Sequence, residues 1–123
     1  MPITKTAVVV LASTSVPPGT AKATPIEGAA IDCRAYPGNS GLEYKITNGA
    51  SAPTLPWMIM FQVSRNGLSW VDYQLVGGDL VASSVASGAI TIERWVMYVR
   101  AIAYGNTVNA VTVEAHLQAV TAV

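Results

Sequence analysis

Charge is what this sequence has least of. Only 11% of its 123 residues are charged, where about 25% is usual in soluble domains. Seven cations balance seven anions. A disordered tail combines low hydrophobicity with high net charge, so that class is excluded. A nucleic-acid binder that relies on phosphate contacts needs a basic excess or a basic cluster, and these cations are scattered. Cysteine is nearly absent. Cys33 stands alone, which rules out a disulfide scaffold and is compatible with a reducing cytosol. Long apolar runs are missing as well. The longest near the start, Ala7 to Ala12, falls far short of the roughly 20 residues of a membrane span. It is also shorter than the roughly 7–15 residues of a signal-peptide core. Neither a membrane segment nor an export signal is expected.

What the chain has instead is Ala, Val, Ser, Thr and Gly, with 51% hydrophobic residues overall. That length and composition describe one small globular domain. Zero net charge favours association, so much of the surface is expected to meet partners or further copies of the chain.

The hydrophobic period is two throughout, and no window of eleven residues sustains a helical pattern. Strands are expected near Thr4–Ser13, Thr20–Pro25, Ala29–Tyr36, Leu42–Thr47, Leu55–Ser64, Ser69–Val76, Gly88–Glu93, Trp95–Tyr104 and Asn109–Val120. Gly, Pro and Asn clusters such as Pro17-Pro18-Gly19, Asn48-Gly49 and Gly77-Gly78-Asp79 separate them. Eight or nine short antiparallel strands predict an all-β sandwich of jelly-roll type. Residues 1–23 read as an N-terminal strand or arm, and residues 24–123 as the body of the same domain.

Parity predicts two hairpins, because the buried face sets the register. Trp57, Ile59, Phe61 and Val63 share one face, and so do Val71, Tyr73 and Leu75. A three-residue loop Arg65-Asn66-Gly67, with Gly67 in the left-handed position, aligns them. A second three-residue loop, Gly105-Asn106-Thr107, would pair Trp95–Tyr104 with Asn109–Val120. It sets Tyr98 opposite Glu114 and turns Trp95 and Met97 inward.

No catalytic constellation assembles. The single histidine, His116, sits on an outward strand position beside Glu114, and no Gly-x-Ser-x-Gly elbow exists. Cys33 lies in an apolar run and reads as a small buried hydrophobe. One His and one Cys far apart do not make a metal site. No carboxylate pair carries a hydrolase signature, and no phosphate-binding loop precedes a helix. The chain is expected to be no enzyme and to need no metal or cofactor.

The outward strand positions are unusual. They carry Met58, Met60, Trp70, Tyr98, Arg100, Ile102 and Tyr104. Either a loop or the N-terminal strand covers this set, or it is an exposed apolar patch that marks an interaction site. In the second case it suits a protein interface better than a ligand pocket, because few polar groups converge there. Arg100 would be its anchor.

Two stretches resemble the small structural proteins of tailed bacteriophage particles. One is Phe61-Gln62-Val63-Ser64-Arg65-Asn66-Gly67-Leu68-Ser69-Trp70-Val71-Asp72-Tyr73. The other is Val96-Met97-Tyr98-Val99-Arg100-Ala101-Ile102-Ala103-Tyr104-Gly105-Asn106-Thr107 with Ala110-Val111-Thr112-Val113-Glu114-Ala115. The likeness covers roughly residues 55–120. Within that resemblance, the small neutral members that fit best are capsid decoration, or cement, proteins. The resemblance implies a β-sandwich on the capsid exterior of the virion, made in the bacterial cytoplasm. It also implies a homo-oligomer, commonly a trimer, whose partner is the major capsid protein. The competing expectation is a tail, baseplate or fibre module that binds a host-surface carbohydrate through Trp70 or Tyr104.

Overall fold

The computed structural model describes residues 4–105 and 108–122. The described residues form nine strands: β1 (Thr4–Val16), β2 (Ile26–Glu27), β3 (Ile31–Asp32), β4 (Ser40–Asn48), β5 (Met58–Ser64), β6 (Val71–Gly77), β7 (Val85–Ile92), β8 (Tyr98–Tyr104) and β9 (Val111–Ala122). Every pairing is antiparallel. One sheet has the order β1-β9-β4-β7, the other β2-β8-β5-β6 with β3 also on β8. The pairs β1–β9, β2/β3–β8, β4–β7 and β5–β6 nest inside one another like a long hairpin rolled up. This is the jelly roll that the strand count predicts.

The core lies between the sheets and follows the expected alternation. Val111, Val113, Ala115, Leu117 and Ala119 of β9 are buried, while Thr112, Glu114, His116 and Gln118 face outward. Trp57 and the β5 residues Ile59, Phe61 and Val63 come from the opposite sheet, and Tyr44 of β4 packs on Phe61 with ring centroids 6.4 Å apart. Closure of one side explains why the expected strand Ala29–Tyr36 is broken. Gly28 N–H donates to the Ala101 carbonyl in one sheet, and Ala29 N–H to the Val10 carbonyl in the other. A β-carbon at Gly28 would run into the Val10 carbonyl oxygen. Only glycine lets the chain pass between the sheets at this point.

Three local expectations are corrected. The C-terminal hairpin does not exist: β8 and β9 belong to different sheets, and the connection between them crosses the sandwich. Asn106 and Thr107 of that connection lie outside the described residues. Tyr98 faces Ser64 rather than Glu114. Trp95 and Met97 are exposed rather than buried in the core, because Glu93–Val96 forms a turn closed by Val96 N–H on the Glu93 carbonyl (3.0 Å) and β8 starts only at Tyr98. Finally, Thr20–Pro25 is no strand. Only Thr20 makes a bridge, to Gly105, and the next residues form a turn in which Thr24 N–H meets the Ala21 carbonyl.

The β5–β6 hairpin does form, with a longer connection than three residues. Ser64 Oγ accepts from Gly67 N–H (2.9 Å), and Asn66 Oδ1 accepts from Leu68 and Ser69 N–H (2.9 Å each). These side chains replace ladder bonds over residues 65–70. Gly67 has the expected positive φ of 75°. Val63 faces Val71 and Gln62 faces Asp72, but Phe61 faces Gln74. Tyr73 is the extra residue of a bulge. Beyond it the parity inverts, so Val76 enters the core and Leu75 is exposed on the outer face.

Candidate functional site: the outer face of the β5–β8 sheet

The two outer faces of the sandwich differ in chemistry. Over β4 and β9 the outward residues are Glu43, Lys45, Thr47, Thr112, Glu114, His116 and Gln118, a polar, solvated set. Lys45 and Glu114 face each other at 3.9 Å, and His116 Nε2 is 3.5 Å from Glu114 Oε2.

Over β5 and β8 the register stacks four rungs: Met58 with Tyr104, Met60 with Ile102, Gln62 with Arg100, and Ser64 with Tyr98. Trp70 reaches in from the β5–β6 connection, its ring 4.6 Å from the Arg100 guanidinium carbon. The fold thus brings all seven sequence-predicted residues onto one face. They are not equally accessible. Met60 and Ile102 are only 8% and 3% exposed, so neither is surface. Met58, Trp70, Tyr98 and Tyr104 keep partial exposure.

The chain before β2 spans this face. Thr20 is bridged to Gly105 at the end of β8, and Lys22 Nζ lies 2.8 Å from Asp72 Oδ2 on β6, at the far side of the same sheet. From Asp72 a polar chain runs back across the strands. Gln62 Nε2 donates to Asp72 Oδ1 (3.0 Å), and Arg100 Nε donates to Gln62 Oε1 (2.8 Å). Arg100 also lies 3.7 Å from Glu27 on β2. The Gln62 amide fits between a cation and an anion because its oxygen accepts while its nitrogen donates. The hydrogen bond from Gln62, then that from Lys22, holds the Asp72 carboxyl below the usual carboxylate range, and Asp72 raises Lys22 in turn. The Lys22–Asp72 pair is half exposed, so it contributes little stability as an ion pair. What it supplies is placement of the crossing segment.

Arg100 therefore works within the chain's own fold, mostly buried, clamped by Gln62 and stacked on Trp70. Its neighbour Tyr98 receives the Arg34 guanidinium 5.1 Å above its ring. Arg34 is itself held by Asp32, whose carboxyl is lowered to about 2 by the Arg34 hydrogen bonds. Cys33 is buried, and burial pushes its thiol up to about 11.

Sequence reasoning missed the end of the sandwich beyond this face. Past the Ser64–Tyr98 rung a cavity of about 540 Å³ is lined by Val63, Ser64, Arg65, Val71, Trp95 and Met97, among others. Trp95 is 63% exposed and meets Tyr73 edge-on at 6.1 Å. Leu68, Val71 and Met97 are also exposed.

Comparison with known proteins adds a likeness of fold. No protein-family model matches the chain, and no curated protein matches it. Among solved structures, the chain is similar to part of the infectious bursal disease virus Gx strain structure, with a TM-score of 0.55 and 9% identity over 95% of this chain and 32% of that one. It therefore spans about a third of the viral chain. It is also similar to the SPBc2 prophage-derived protein YomS, with a TM-score of 0.49 and 16% identity over 96% of both chains. A third similarity is to the Yersinia pseudotuberculosis-derived mitogen YPM, with a TM-score of 0.33 and 9% identity over 98% and 86% of the two chains. At these identities the likeness to the viral chain is one of fold alone.

Proposed function

We propose that this chain is a structural protein of a bacteriophage virion, a head decoration protein that binds the outer capsid surface and stabilises the shell. The carrying observation is the asymmetry of the sandwich. One outer face is polar, whereas the other presents Met58, Trp70, Tyr98 and Tyr104, and exposed Leu68, Val71, Trp95 and Met97 lie at the end of the sandwich beyond it. Aromatic and thioether groups left exposed on one face of a small domain mark a protein contact. The capsid is the partner in this reading, and the chain acts by burying surface across subunit joints rather than by catalysis. Repetition over a lattice turns modest individual contacts into large avidity. The β5–β6 hairpin residues that resemble phage structural proteins support the reading, and a jelly roll fits it because viral coat domains use that fold.

The cavity beside Trp95 favours a second reading, a tail or fibre module in which an exposed indole stacks on a sugar while Ser64, Arg65 and Ser69 meet its hydroxyls. Copy number separates the two. Quantitative mass spectrometry of purified particles is expected to find hundreds of copies per particle, in fixed ratio to the capsid protein. A handful per particle would transfer the chain to the tail.

A further inference from the structure

The sandwich has open edges at β1, β2/β3, β6 and β7. Natural sheets guard such edges with bulges, charges, prolines or very short strands, because unpaired N–H and C=O groups recruit other strands. Three of these edges are guarded. β1 carries Lys5 and three register shifts against β9. β2 and β3 are two residues each and carry Glu27 and Asp32. β6 carries Asp72 and the bulge at Tyr73.

β7 has none of these devices. Its eight residues, Val-Ala-Ser-Gly-Ala-Ile-Thr-Ile, include no charge and no proline. They pair with β4 from Thr47–Val85 to Ser40–Ile92 without a register shift. The Ser84 carbonyl accepts from Asn48 N–H (2.8 Å) on the β4 side. Backbone groups alternate sides along a strand, so those of Val85, Ser87, Ala89 and Thr91 point to the open edge. Tyr73 Oη confirms the phase, because it donates to the Thr91 carbonyl (3.1 Å) from outside β4. Among the described residues nothing occupies the edge groups of Val85, Ser87 and Ala89.

We infer that β7 is a pairing edge for a second copy of this chain, joining two four-stranded sheets into one across a two-fold axis. Three properties select a copy. A strand without charge meets no like charge when it faces itself. Ser87 and Ala89 are small and exposed, so two edges approach closely. The register is also self-consistent. An antiparallel neighbour keeps core and solvent faces continuous only if outward residues pair with outward residues. An axis at Ser87 pairs Ser87 with its equivalent and Val85 with Ala89 of the second copy, using only the unoccupied groups. Each such pair exchanges both of its N–H···O bonds. The contact is smaller than a standard interface of roughly 1,200–2,000 Å², so the dimer is reversible on dilution. The inference is independent of the virion reading. A trimer, as the family resemblance implies, would need another surface.

Sedimentation velocity across a dilution series, with hydrogen exchange read at single amides, tests it. The intact chain is expected to form a dimer as concentration rises, with exchange at Ser87 and Ala89 slowing in step. Ala89→Pro removes only the outward N–H, a substitution edge strands tolerate. Ala89→Lys adds an edge charge without touching the backbone, and keeps the test decisive if the proline variant folds poorly. Both are expected to lose the dimer with the urea midpoint unchanged. A chain that stays monomeric throughout, or an oligomer of any size that persists in these variants, overturns the inference.

Discussion

Trp57→Ala is expected to cost about 3–5 kcal/mol of folding stability, a large share of the roughly 5–15 kcal/mol of an ordinary domain. Trp57 is the largest fully buried side chain. It sits just before β5 and fills the end of the core where the sheets meet. Its Nε1 donates to the Asn109 carbonyl (3.1 Å), and Asn109 Nδ2 donates to the Ala52 carbonyl (2.7 Å). The indole thus ties the β4–β5 connection to the β8–β9 connection. Truncation opens a cavity and releases both connections. Trp57→Phe keeps most of the volume but deprives the Asn109 carbonyl of its donor, so a smaller loss of about 1–3 kcal/mol is expected. Urea unfolding followed by circular dichroism measures both. A loss below about 1 kcal/mol in the alanine variant would contradict this placement of the core.

Arg100→Ala is expected to cost about 1–3 kcal/mol, although the residue lies on an outer face. Its removal leaves Gln62 Oε1 without its donor in a residue that is buried, and an unpaired buried polar group carries a penalty of that size. The stack on Trp70 is lost as well. Arg100→Lys is expected to recover little, because an ammonium does not reproduce a planar guanidinium that bonds Gln62 through Nε while lying over an indole. In a double-mutant cycle, Arg100→Ala and Gln62→Ala should couple rather than add. Additive effects would mean that the two side chains act separately and that the polar chain across the sheet is no unit.

Much of the fold is written in local periodicity. Alternation in β9 and β5 shows which residues face inward, and the turn residues show where strands stop. Parity, however, tells which face a residue occupies and not which strand lies beside it. That is why β8 and β9, each correctly alternating, look like a hairpin when they belong to opposite sheets. Trp95 continues the alternation of β8 on paper, yet a backbone bond between Val96 and Glu93 ends the strand before it. The bulge at Tyr73 has no sequence marker, since it serves to re-aim Leu75 and Val76 relative to neighbours far along the chain. The site follows the same pattern. Met58, Met60, Trp70, Tyr98, Arg100, Ile102 and Tyr104 are readable as one outward set from period two alone. Which of them are buried, as Met60 and Ile102 are, is not, and neither is the Lys22–Asp72 pair, which depends on a segment without regular structure crossing the sheet.

The low charge also acquires a location. On the polar sheet the few charged residues sit where a solvated face needs them. On the other sheet Arg100, Glu27, Lys22 and Asp72 are turned toward one another, leaving aromatic and thioether groups at the surface.

Binding to capsids is the most direct test of the central claim. Purified chain would be mixed with expanded capsids that lack it, and both sedimentation with the particles and their thermal rupture would be followed. Saturable co-sedimentation at a fixed ratio to the capsid protein, with a raised rupture temperature, is the predicted result. Free chain left in the supernatant, with rupture unchanged, would contradict the decoration role.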